Sequence, residues 1–137
     1  MRKILLIITL CILYVGNLTA QNTTMDYLTN NKWETLLPAD QSFSIITEFS
    51  KAEEVNSLIY KGTTSKLSYL YYLSNEIEES FDNDKVGMRE DGKYIIERNL
   101  ENGDVYRREI IEINDQKLVL KNLHNNTLSE YKAIKKE

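Results

Sequence analysis

From Trp33 onward the chain is cut into short β-type runs, and nearly every run stops at a turn signal. The signals are Pro38-Ala39-Asp40-Gln41, Lys51-Ala52-Glu53-Glu54, Gly62-Thr63-Thr64-Ser65, Asp82-Asn83-Asp84, Glu90-Asp91-Gly92, Glu101-Asn102-Gly103-Asp104, Asn114-Asp115-Gln116 and His124-Asn125-Asn126. Turns recurring every ~8–12 residues leave little room for helices and point to a β-sandwich or barrel. The segments follow one another as hairpins. The expected fold is therefore all-β: an antiparallel up-and-down barrel of eight strands, with a ninth weak run in question. A two-sheet sandwich is the structural alternative.

The runs themselves carry the pattern. Ser42–Ser50 alternates, with Phe43, Ile45, Thr47 and Phe49 on one face and Ser42, Ser44, Glu48 and Ser50 on the other. A period of two with one apolar face sets one side against a core. Further strands are expected near Lys32–Leu37, Val55–Lys61 and Leu67–Ser74. Leu67–Ser74 is apolar on both faces, so Leu70 and Tyr72 need a cover or form an exposed patch suited to a dimer contact. Glu76–Phe81 reads as a weak strand or a crossing. Lys93–Asn99 and Val105–Asn114 pair through Asn102-Gly103, a strong hairpin signal. Lys117–Leu123 and Leu128–Ile134 pair through His124-Asn125-Asn126, where Asn tolerates the left-handed backbone of a tight turn.

Residues 1–20 read as a secretory leader outside the fold. Arg2 and Lys3 precede an apolar stretch from Ile4 to Val15, and Leu18-Thr19-Ala20 offers a small residue at the cut. A lipoprotein reading through Cys11 is disfavoured, because Leu10 stands where a small residue belongs. Removing 20 of 137 residues leaves a single domain, residues 21–137. The only Cys departs with the leader, so the rest cannot make a disulfide or thiolate site. The same cut leaves 15 basic against 21 acidic residues, net −6. With no basic stripe, nucleic acid and anionic membrane surfaces are poor partners. No stable membrane span is expected. Residues 21–31 are polar apart from Met25, Tyr27 and Leu28. They read as a helical turn plugging a barrel end or as an unstructured start.

The chemistry-bearing residues are few. His124 is the only histidine, and it falls in a turn without an evident nucleophile or orienting partner. A zinc site lacks ligands. Asp82, Asp84 and Gly87 match three positions of a calcium-binding EF-hand loop. Val86 and Lys93 occupy positions that need oxygen ligands, so the loop fails as an EF-hand. A looser calcium site with Glu76, Glu78 or Glu79 is a weak alternative, as is a glycosidase carboxylate pair. No catalytic residue, metal or cofactor is expected. The aromatics say more: Tyr69, Tyr71 and Tyr72 crowd into four positions. Such rings fill a core or wall a pocket, and an eight-stranded barrel has room for one or the other.

Tyr71-Tyr72-Leu73-Ser74, Phe81-Asp82, Val86-Gly87 and Gly92-Lys93-Tyr94-Ile95-Ile96, in that order, resemble a small secreted lipocalin-like domain of bacteria. The Tyr106–Ile113 strand and Lys117-Leu118-Val119-Leu120-Lys121-Asn122 are similar to its closing strands. Trp33 matches the Trp of the lipocalin Gly-x-Trp signature, with Asn31 in the place of the Gly. The family's Arg that packs over this Trp has no counterpart, since Thr127–Lys136 offers only lysines. The resemblance implies a calycin-type barrel. It also implies a non-enzymatic binding protein, periplasmic or extracellular, that holds a small apolar or amphipathic ligand. The pocket candidates are Trp33, Phe43, Ile45, Phe49, Tyr69, Tyr71 and Tyr94. The competing expectation is a protein-interaction module, such as an inhibitor of a secreted hydrolase, acting through residues 21–31 or the rim loops.

Overall fold

The computed structural model describes residues 20–137; the leader expected at residues 1–20 lies almost wholly outside them. A seven-residue helix, α1 (Thr24–Asn30), leads directly into eight strands: β1 (Asn31–Thr35), β2 (Phe43–Phe49), β3 (Glu53–Tyr60), β4 (Thr63–Ser74), β5 (Tyr94–Asn99), β6 (Val105–Ile113), β7 (Lys117–Asn122) and β8 (Leu128–Lys135). Each strand pairs antiparallel with the next, and β8 returns to β1, with Trp33 opposite Ala133. The sheet is a closed up-and-down barrel. Closure leaves no unpaired edge, which removes the usual route to edge-to-edge aggregation.

The tight turns follow their sequence signals, with one correction. The β3–β4 turn is only Lys61-Gly62, both left-handed at φ 48° and 78°. Thr63–Ser65, expected in the turn, already belongs to β4. A two-residue turn with positive φ matches the twist of the flanking strands, and Gly62 makes it inexpensive. Glu76–Phe81 forms no strand. It lies in the long β4–β5 loop, whose only regular piece is a 3₁₀ turn at Asn83–Lys85.

That loop folds back over the outside of the barrel. Tyr72 and Ile96, opposite each other on the outward faces of β4 and β5, are both buried. The Phe81 ring lies 5.1 Å from that of Tyr72, and the Tyr72 hydroxyl donates to Glu78 Oε2. Arg107 donates to the carbonyls of Glu78 and Glu79, while Arg98 sits over Phe81 at 4.8 Å and donates to Asn83 Oδ1. The second apolar face of β4 is therefore covered largely by the chain's own loop. The loop rejoins the barrel at Gly92, where an added Cβ would stand 2.8 Å from Ser74 N and 2.9 Å from Leu73 Cβ. Because the obstacle is mostly backbone, Gly92→Ala should destabilise the protein by about 1–3 kcal/mol, read from urea unfolding. A change below experimental error would show that the loop yields there at no cost.

The barrel's two ends differ. At one end the core consists of Trp33, Phe49, Tyr71, Leu73, Ile95, Leu118, Leu120 and Tyr131, closed by Met25 and Leu28 of α1. The helix is set by a capping box: Thr23 Oγ1 accepts from Asp26 N, and Asp26 Oδ2 accepts from Thr23 N. It is tied down by Trp33 Nε1 donating to the Leu28 carbonyl at 3.0 Å and by Met25 N donating to the Glu90 carbonyl at 2.8 Å. Lys136, just past β8, donates to the Thr29 carbonyl. Residues 24–30 thus form the plug, and the unstructured start is not what the chain adopts.

Candidate functional site

The opposite end, ringed by the β1–β2, β3–β4, β5–β6 and β7–β8 turns, is not filled. The pairing register places Phe43, Ile45, Leu58, Tyr60, Ser65 and Leu67 on the same inward face as the buried Phe49 and Tyr71. Yet Leu58, Tyr60 and Leu67 remain 41%, 44% and 41% exposed. Inward-facing side chains of that size are buried in a barrel packed along its whole length. Leu58 and Tyr60 line a recess of about 500 Å³ walled also by Phe43, Ile45, Thr63 and Ser65.

A second recess, about 330 Å³, is lined from β4–β8, shares no lining residue with the first and is polar: Tyr69, Glu97, Tyr106, Arg108, Asn122, Ser129 and Tyr131 contribute to it. The Tyr69 and Tyr106 rings meet edge to face at 6.3 Å. The boundary between this recess and the apolar core is a buried triad. Arg108 of β6 donates through Nη2 to both Glu54 of β3 and Glu97 of β5. Glu54 also accepts from Asn56 Nδ2 at 3.0 Å, and Asn56 Oδ1 accepts from the Thr47 hydroxyl at 2.5 Å. Glu54 and Glu97 are 1% and 6% exposed. Arg108 Nε is buried with no acceptor.

Two carboxylates facing one guanidinium leave an excess negative charge in a poorly solvated place. Burial raises the Glu97 pKa from 4.5 to about 8; Arg108 opposes the rise and Glu54 reinforces it. Burial works against the Arg108 charge, but the two carboxylates more than offset it and its pKa is raised. Burial likewise pushes the Tyr69 and Tyr131 phenols up. At neutral pH the triad therefore carries its proton on Glu97 and is close to neutral. Because the folded state holds this proton more tightly than the unfolded chain, the stabilisation is complete below pH 4.5. It is lost as pH rises toward 8. Urea unfolding of the wild type should lose on the order of a few kcal/mol across that window, relative to Glu97→Gln. Parallel pH curves for the two proteins would contradict the assignment.

The expected pocket residues divide three ways. Phe43 and Ile45 line the apolar recess and Tyr69 the polar one. Trp33, Phe49 and Tyr71 are packed in the closed-end core; Phe49 and Tyr71 meet edge to face at 5.4 Å, and the Tyr71 hydroxyl donates to the Ser50 carbonyl at 2.6 Å. Tyr94 lies on the outward register of β5, one position before the inward Ile95. Sequence reading missed Glu54, Leu58, Tyr60, Glu97, Tyr106, Arg108 and Tyr131. A signal existed for Glu97 and Arg108. Each is two positions from an inward apolar residue, Ile95 and Ile110, so the period of two put a charge on the core face.

His124 stands in the exposed β7–β8 turn. Asp82, weighed for calcium, caps the 3₁₀ turn by accepting from Asp84 N at 3.0 Å. Among the described residues no group of three or more His, Cys, Asp or Glu side chains could hold a metal ion, and no helix is long and apolar enough to cross a membrane. No protein-family model matches the chain, and no curated protein or solved structure matches it either.

Proposed function

We propose that the protein is an exported, non-enzymatic, lipocalin-like binding protein that holds one small amphipathic ligand in the open end of its barrel. The observation that carries this reading is the exposure of inward-facing Leu58, Tyr60 and Leu67 above a fully packed lower half. Apolar area left wet inside a concave site gains about 25 cal/mol per Å² when a ligand covers it. The apolar wall from β2–β4 suits a hydrocarbon part, and the tyrosines, Asn122 and Ser129 suit a polar head. The leader expected at residues 1–20 supports export to the periplasm or the cell exterior.

The test is mass spectrometry of solvent extracts from purified protein, followed by rebinding to the delipidated form. A stoichiometric lipid or other amphiphile is the expected result. Leu58→Lys, which places a charge on the apolar wall without touching the core, should weaken rebinding at least tenfold, about 1.4 kcal/mol. Unaltered rebinding by that variant would move the ligand elsewhere.

A protein-docking role is the second reading, and one observation bears on where it would act. Met25 and Leu28 of the N-terminal segment are buried in the barrel, whereas Leu36, Leu100 and Leu128 stand exposed on the rim of the open end. The rim loops, rather than residues 21–31, would carry such contacts.

A further inference from the structure

The polar recess of the proposed ligand site is bounded by charges already matched to one another, and that limits the ligand's head. Glu54 and Glu97 both lie against Arg108, and Glu97 and Arg108 line the polar recess. The groups facing Glu97 are Glu54 from β3, Tyr69 from β4, Arg108 and Tyr106 from β6, and Tyr131 from β8. No cation other than Arg108 is among them. The triad is close to neutral while Glu97 holds its proton, so a ligand carboxylate would add a negative charge for which no unmatched cation is left. A ligand ammonium would likewise find no unmatched carboxylate while Glu97 holds its proton. Either charge would be buried without a partner of its own, which is costly.

The guanidinium nevertheless has donors to spare. Of its five N–H groups, those on Nη2 meet the two carboxylates, and Nε is buried with no acceptor. A buried donor without an acceptor costs on binding or folding until something supplies one. Tyr69, Tyr106 and Tyr131 line the same recess and bring phenol hydroxyls that can donate to a ligand oxygen there. We propose that the ligand is an uncharged amphiphile whose head presents an acceptor oxygen, such as an alcohol, ester or amide, to the Arg108–tyrosine recess. Fatty acids and alkyl amines are then rejected on charge alone, at equal chain length.

This inference rests on the open end being a ligand site, and a headgroup series separates the two. Decanol, decanoate and decylammonium share one chain and differ in head charge. Each is titrated calorimetrically into the delipidated protein, residues 21–137, at pH 6.5, below its micellar concentration. Decanol is expected to bind at least about tenfold tighter than either ion, the usual scale for an unpaired charge at a partly buried site. Raising the pH to 9 ionises Glu97 and should improve decylammonium binding relative to decanol; Glu97→Gln should flatten that response. Decanoate or decylammonium binding as tightly as decanol at pH 6.5 would overturn the neutral-head assignment while leaving the ligand site intact. Binding of none of the three would overturn the ligand site itself.

Discussion

Arg108→Met should cost about 3–5 kcal/mol of folding stability at pH 7, because it strands two buried carboxyls without their shared cation. Glu54 and Glu97 are almost fully enclosed, and each accepts from Arg108. Without Arg108, the charge left on the carboxyl pair has no cation beside it, and only a further proton can remove it. The loss should therefore shrink as the pH is lowered toward 4, and urea unfolding at pH 4, 5.5 and 7 follows it directly. Replacing all three groups at once, with Glu54→Leu, Glu97→Met and Arg108→Met, should restore most of the loss or exceed the wild type. Breaking a buried ion group is far more damaging than exchanging it for apolar residues of similar volume. The triple variant also asks what the triad is for. If it regains stability but loses selectivity among headgroups, the charges serve the recess rather than the fold. A single variant that loses less than about 1 kcal/mol would mean the carboxyls find water where the structure encloses them.

Trp33→Ala is the second large effect, expected at about 3–5 kcal/mol. The indole is 0% exposed, at the centre of the closed-end cluster with Phe49, Tyr71 and Leu118. Its removal opens a cavity and also deprives the Leu28 carbonyl of the donor that anchors α1. Against a typical total of about 5–15 kcal/mol, this is a large fraction of the protein's stability. The two contributions separate by hydrogen exchange. In Trp33→Phe, which keeps most of the volume and loses the hydrogen bond, residues 24–30 should lose protection while β4 and β5 keep theirs. Equal loss of protection throughout would show that the helix and barrel unfold as one unit.

Much of the fold could be read from residues alone. The alternation of Phe43, Ile45, Thr47 and Phe49 set the inward face of β2, and Asn102-Gly103 set a hairpin. Both are local signals, decided within a few residues by backbone sterics and the period of the pleat. Errors fell where local chemistry was ambiguous. Thr63–Ser65 has turn-like composition but joins β4, since Lys61-Gly62 already completes a two-residue turn. Tyr72 and Leu70 suggested a dimer face; for Tyr72 the cover is the chain's own β4–β5 loop, a contact between segments whose irregular sequence carries no period.

The site was less legible. Phe43, Ile45 and Tyr69 reach the open end, whereas Trp33, Phe49 and Tyr71 share their inward face and are buried at the other. Inward and outward follow from parity along a strand. Depth along the barrel axis depends on the stagger between strands and on which end a plug occupies. By itself, then, the sequence determined the strands, their inward faces and the antiparallel order, because these follow from backbone geometry within a few residues. Only the tertiary structure decided which end α1 closes, that Glu54, Glu97 and Arg108 converge from three strands, and which inward side chains stay uncovered. Those outcomes depend on distances between residues far apart in the chain, and they are fixed only when the ring of strands closes.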